Sequence, residues 1–369
     1  MRQRYDTLNP RVVHCVAATM LLNHLPLKDY KRSVTAALLA DLLLAMAASA
    51  STLCAVVRRQ FAFGREVARR AIYGSLPPLK ALTECVADLL HAVASFNRAD
   101  RRREWTLAID THNVPFYGHR RTKGIVGGKK KAGTKYFHVY ASAVLLHRGR
   151  RFTVGLLPVP ASLKPHDIVR TLLEQIRGRG LRVGGVALDS GFDSGETILL
   201  LQELGVNYVV PLRRKGKGNN RRNACFSLPH GTIAEVAWKT EVSRRNVATR
   251  ALVWNRSGED RARVYAFGGW GRSKAVSEHR RARLARQRYR ERFGIETSYR
   301  QKNQGRAWTT GTKVEYRFLL EALGHVLRQL WVLLTQAIAR ARGLASAVWV
   351  SELTMADVLD WIGDTLEKL

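Results

Sequence analysis

Three acidic residues stand out by their placement. Asp110 closes the apolar run WTLAID, Asp189 closes VGGVALD, and Glu296 lies within YRERFGIETSYRQKNQ, an otherwise cationic and aromatic stretch. Carboxylates at the C-terminal edge of neighbouring strands project into the crevice where open α/β sheets bind ligands. Either aspartate alone reads as a turn or cap residue; the pair, joined by a glutamate on a later helix, reads as a ligand set. With about 3.6 residues per helical turn, Tyr289, Arg292, Glu296, Tyr299 and Arg300 share one helix face. A solvated helix would scatter acids among bases for i,i+4 pairing. A single acid in a cationic strip is instead the pattern of a metal ligand facing a phosphate. Three hard oxygen ligands suit Mg²⁺ or Mn²⁺, and two such ions can serve both the attacking and the leaving oxygen of an in-line displacement. The chemistry indicated is phosphodiester cleavage and transfer.

The elements that must position these residues follow from hydrophobic periodicity. Residues 1–100 read as helical, with punctuation at Pro26, Gly64, Gly74 and Pro77-Pro78. Within them STLCAVVRR and REVARRAIYG form two short helices around a turn, the second basic enough to lie along a DNA groove. From residue 105 the pattern becomes strands: WTLAID, YFHVYASAVLL and RFTVGLLPV, the last two joined by a hairpin turn at HRGR. Helix HDIVRTLLEQIRGRG, strand VGGVALD, helix ETILLLQELG and strand NYVVPL follow. Three antiparallel strands and then alternating helix and strand make a mixed α/β sheet covered by helices. The basic loop RRKGKGNNRR opens a β-rich block, and helix resumes near Val276. The expected organisation is a helical, DNA-binding domain over 1–100, a catalytic domain over 101–310 interrupted by a β-rich insertion at 213–275, and a C-terminal helical region over 311–369.

Charge narrows the partner. Lys and Arg number 62 against 29 Asp and Glu, a net charge of +33 spread over 369 residues. An excess of that size repels itself unless a polyanion neutralises it, and nucleic acid is the commonest one. The four cysteines stand far apart with no C-x-x-C pair, which argues against a zinc site or redox dithiol and fits a reduced, cytoplasmic and nucleoid-associated setting. The run 35–57 carries only Asp41 as a charge and approaches a membrane span in length. Its Ser49, Ser51 and Thr52 suit a helix break and an N-cap, so two buried helices are expected and no membrane. GIVGGKKKAGTK fails as a phosphate loop, because Lys123 stands where glycine is needed and Lys130 where Ser or Thr belongs. Lys129, Lys130 and Lys131 are expected on a basic loop, against DNA backbone or hydrated. His112, His119 and His138 have no zinc-site spacing.

Asp110 after a first strand, Asp189 in D-S-G-F, a β-rich insertion and Y-x2-R-x3-E over Tyr289, Arg292 and Glu296 resemble the DDE transposases of the insertion-sequence-four type. The resemblance covers roughly residues 105–310 and implies an RNase H-like catalytic core preceded by a helical domain. It implies Asp110, Asp189 and Glu296 as catalytic ligands of two Mg²⁺ or Mn²⁺ ions, with Tyr289 and Arg292 on the phosphates of a transposon end. The implied activity is strand cleavage at terminal inverted repeats and strand transfer into target DNA, within a homodimer on double-stranded DNA. It also implies a tryptophan in the insertion on which a flipped base stacks, with Trp270 and Trp254 as candidates. The family signature continues Y-x2-R-x3-E-x6-K, and its lysine position holds Asn303, with Lys302 one residue earlier. That shift turns the side chain by about 100° around the helix, so Lys302 or Arg300 would have to supply the charge. The rival readings are a catalytically inactive DNA-binding relative and, on residues 35–57 alone, an integral membrane protein.

Overall fold

The computed structural model describes residues 9–147, 150–216, 221–255, 262–271, 276–344 and 353–367. The expected turn at HRGR and the middle of the RRKGKGNNRR loop lie in part outside them. Six helices come first: α1 (Pro10–His24), α2 (Ala36–Ala48), α3 (Leu53–Gln60), α4 (Arg65–Ser75), α5 (Leu79–Ala94) and α6 (Arg98–Arg102). The apolar run 35–57 is indeed two helices. Thr35 and Thr52 cap α2 and α3 by accepting from Leu38 and Ala55, and Ala50 takes a left-handed φ of 44° in the turn between them. Asp41, the lone charge in that run, meets His14 of α1, with Nε2 2.9 Å from its Oδ1.

The sheet is built from β1 (Glu104–Phe116), β2 (Val126–Lys131), β3 (Thr134–Leu145), β4 (Thr153–Pro158), β5 (Arg182–Leu188), β6 (Asn207–Leu212), β7 (Ile233–Lys239), β8 (Asn246–Trp254) and β9 (Arg263–Gly268). Its nine strands run in the order β2-β3-β1-β5-β6-β9-β8-β7, with β4 also on β3. β1, β5 and β6 are parallel at the centre, and antiparallel pairs flank them on both sides. The two crossovers are α7 (Pro165–Gly178) and α8 (Gly195–Glu203); the short α9 (Arg221–Ala224) precedes β7. One expectation changes here. The lysines 129–131 sit on a strand, because the chain doubles back through Ala132 (φ 49°) and Gly133 (φ 79°) into a hairpin. The β-rich block extends the sheet, β9 pairing with β6 from Tyr208 to Leu212.

Alternation along the strands sorts the two faces of the sheet. Leu107, Ile109, Val186 and Leu188 join the large core that includes α5, α7 and α8, while Ala108, Ala187 and Val209 face the other way, against Ala282, Ala285 and Tyr289. Small residues on both surfaces let a long basic helix lie close over the parallel strands. That helix is expected to be continuous, but it is two: α10 (Glu278–Arg292) and α11 (Gly294–Gln304), parted at Phe293.

The first hundred residues do not stand apart as a module. α12 (Val314–Ala341) packs on α5 and β4, and α13 (Met355–Leu366) packs on α1 and α2, so head and tail of the chain share one hydrophobic core. α12 is long and apolar enough to cross a membrane, yet 94% of its apolar window is buried within the fold.

Candidate active site

The register of the central strands brings the two aspartates together. Ile109 pairs with Leu188 in the parallel ladder, so Asp110 and Asp189 are the next residues on adjacent strands. Each lies two residues beyond an alanine of the helix-covered face, Ala108 and Ala187, and therefore projects toward α10. β1 does not end at Asp110 as its sequence suggests. It runs on to Phe116, paired with β3 alone, which opens a crevice beside it where β5 has stopped.

Arg292, the last residue of α10, enters that crevice. Its Nη1 donates to Asp110 Oδ2 at 3.3 Å and its Nη2 lies 3.4 Å from Asp189 Oδ1. The guanidinium is buried, 3% exposed, and its face lies over the Tyr289 ring. Arg292 and Tyr289 are thus turned inward to the carboxylates and not out to the surface where a DNA phosphate would first meet them. Tyr289 packs against Tyr265 with ring centroids 4.9 Å apart.

Glu296 is exposed in the first turn of α11. Burial pushes the Asp110 carboxyl up to about 6; Arg292 works against this, and the nearby charges of Asp189 and Glu296 add to it. The other two acids thus lie within electrostatic reach of Asp110. They are not drawn tightly together: among the described residues, the trio of ligand atoms lying within 4.8 Å of one another is His112, Glu321 and His325. The guanidinium forks between the two aspartates, and Glu296 stands at the rim. Tyr299 closes the wall, its hydroxyl 2.9 Å from Ser142 Oγ and donating to the Asp110 carbonyl at 3.4 Å.

Lys302 is placed differently from the expected DNA contact. It is 1% exposed, and its Nζ pairs with Glu321 of α12, which also meets His112 Nε2 at 2.7 Å and His325 Nε2 at 3.5 Å. The turn of about 100° that moves Lys302 off the Glu296 face delivers it into the core. Burial alone would raise the Glu321 carboxyl, yet Lys302 and His112 hold it well below the usual carboxylate range. His112 Nε2 and Glu321 share a hydrogen bond and an ammonium fills the next side, so this trio is a charge-satisfied network. It ties β1 to α11 and α12 beside the acids. Glu321 escaped the sequence reading, although an acid between Leu320 and Ala322 in an apolar helix is itself a sign of buried pairing.

The remaining candidates divide. Lys129, Lys130, Lys131 and Arg300 are exposed. Trp270 is not available for a base: it is 6% exposed, its Nε1 donates to the Tyr208 carbonyl at 2.7 Å, and its ring fills the space over Gly185, where a Cβ would lie 2.7 Å from it. Trp254, half-buried on β8, stacks with the Arg286 guanidinium 3.5 Å from its ring centre and with His230 at 4.5 Å. Among the described residues Trp308 is the exposed indole, 55% accessible, and no motif pointed to it.

A nine-stranded mixed sheet, with helices before and after it and acids on adjacent parallel strands, is an RNase H-like fold. The chain belongs to the Transposase DDE domain family, whose sequence model matches residues 101–311, more than half of its length. The solved cryo-EM structure of a piggyBac transposase synaptic complex with hairpin DNA matches with a TM-score of 0.60 at 12% identity, covering 100% of this chain and 82% of that one. At that identity the likeness is one of fold. No curated protein matches the chain in sequence.

Proposed function

We propose that this chain is a transposase of the insertion-sequence-four type, which cuts DNA at the ends of its element and joins the freed 3′-hydroxyl to target DNA. Supporting the reading is the pairing of Asp110 and Asp189, with a buried guanidinium lodged between them and Glu296 four residues beyond that arginine. Two carboxylates that already hold a cationic side chain, joined by a third from α11, would suit hard divalent cations such as Mg²⁺ or Mn²⁺. Bound there, such ions would supply charge neutralisation at the phosphate and acidify the attacking hydroxyl or water.

The protein residues do the rest. Asp110 and Asp189 each follow the last rung of the parallel ladder, Ile109 with Leu188, which starts them side by side. Glu296 rides on α11, across the break at Phe293 from Arg292 on α10. With cations held by the carboxylates, Arg292 would be free to meet the scissile phosphate from the helix side. Arg300 and the lysines of β2 grip the backbone on either side. The proposed substrate is double-stranded DNA bearing terminal inverted repeats, held by a homodimer.

Purified protein with Mg²⁺ or Mn²⁺ is expected to nick DNA carrying the element's own ends. Asp189→Asn is expected to abolish nicking while leaving DNA binding within about twofold, since a single charge changes out of the many that meet the phosphates. Binding without any cutting by the wild type would favour the inactive DNA-binding relative instead.

A further inference from the structure

Asp110, His112, Val114 and Phe116 alternate onto the same face of β1. Beyond His112 this face opens into a cavity of about 390 Å³, within the range of small-ligand sites. Val114 and Phe116 form one wall, Arg317 backs it, and Tyr117, Arg306 and Trp308 stand at its mouth. Its near edge lies four residues along the strand from Asp110, about 14 Å at about 3.4 Å per residue. That is the reach of two or three nucleotides.

The mouth is built of the groups that hold an unpaired base. Tyr117 is 72% exposed and Trp308 55%. Arg306 lies over the indole, 4.5 Å from its ring centre. The main chain beneath the indole is anchored, because the Trp308 backbone N–H donates to the Ser51 carbonyl at 3.0 Å and residues 52 and 308 form a β-bridge. The Tyr117 hydroxyl is fixed too, donating to the Ala132 carbonyl at 2.8 Å. Arg317 is spent on structure, donating to Gly311 and Thr309 carbonyls at 2.6 and 3.2 Å, so Arg306 is the cation placed for a ligand. Glu321 at the floor does not repel an anion, since Lys302 neutralises it.

We propose that this cavity binds an unpaired nucleotide of the DNA strand leaving the acidic site, its base stacked at Trp308 and Tyr117 and its phosphate beside Arg306. The inference rests on the transposase reading above. Aromatic platforms accept any base, because every base offers a π-face, so the site selects strand state and not sequence.

The test compares full-length protein on a blunt 30-base-pair duplex and on the same duplex with a three-nucleotide single-stranded tail. The wild type is expected to prefer the tailed DNA by about five- to hundredfold, the range of one stacked base. Trp308→Ala should remove the preference and leave blunt-duplex affinity unchanged, Trp308→Phe should restore most of it, and Arg306→Ala should weaken only the tailed complex. Photocrosslinking through 5-iododeoxyuridine in the tail should map to Trp308 or Tyr117. Wild type that binds both DNAs equally, or Trp308→Ala that keeps the preference, overturns the pocket alone. Wild type that binds neither DNA at low salt overturns the transposase reading with it.

Discussion

Arg292 touches both aspartates, and its chemistry can be separated from its charge. Lysine at this position keeps one positive charge but cannot fork between two carboxylates. With Arg292→Ala, the Asp110 carboxyl should rise above about 6, because the guanidinium is what opposes burial there; NMR titration of the side-chain carboxyl reads this directly. Lys302 and Glu321 make a second residue-scale test. Removing one partner of a buried ion pair costs about 3–5 kcal/mol, whereas removing both together costs far less. Lys302→Met should lower stability by that order in denaturant titration, and adding Glu321→Gln should recover most of it. Equal losses for the single and double variants would contradict the pairing. Protons test the buried histidines. Burial pushes His91, His138 and His325 down to about 4 from an ordinary 6.5. Between those values the unfolded chain takes up protons the folded one refuses, so stability should fall as pH drops from about 6.5 to about 4.

At the scale of elements, the sheet and its covering helix decide where each side chain goes. Gly185 gives the Trp270 ring its place against the sheet, and Gly185→Ala should destabilise because a rigid indole cannot step aside. Trp270→Ala should cost about 3–5 kcal/mol by cavity formation, a loss of folding and not of base recognition. The positions of Asp110 and Asp189 were legible in sequence because each ends a short apolar run that parallel pairing aligns. The hairpin of β2 was not, since GGKKK has neither apolar alternation nor β-branched residues. Nor was the break at Phe293: helical spacing continues across it in sequence, and only the packed chain shows the turn. Lys302 could be seen to leave the Glu296 face, but its partner, 19 residues away on another helix, could not.

Across the whole molecule, two properties of the chain set its behaviour: one shared core and a large positive charge. The helical start looked separable because its composition changes at residue 105, yet composition carries no record of which surfaces meet. Deleting residues 9–97 would strip α5 from α12 and β4. The remaining fragment should aggregate and show no cooperative melt, despite containing the whole family match at 101–311. A soluble, cooperatively folding fragment would show that the shared core is dispensable. The net charge of +33 predicts that DNA affinity falls steeply with salt. Each neutralised phosphate contributes about −0.9 to the log–log slope, so six or more contacts should give a slope of about −5 or steeper.

The central claim is that Asp110, Asp189 and Glu296 act as one metal-dependent unit. Strand cleavage of DNA bearing the element's ends should therefore be measured for the wild type and for Asp110→Asn, Asp189→Asn and Glu296→Gln, with Mg²⁺ and with Mn²⁺. The wild type should cut with either ion, and each variant should bind the same DNA yet leave it intact. A folded variant at any of the three positions that cuts at the wild-type rate would contradict the account.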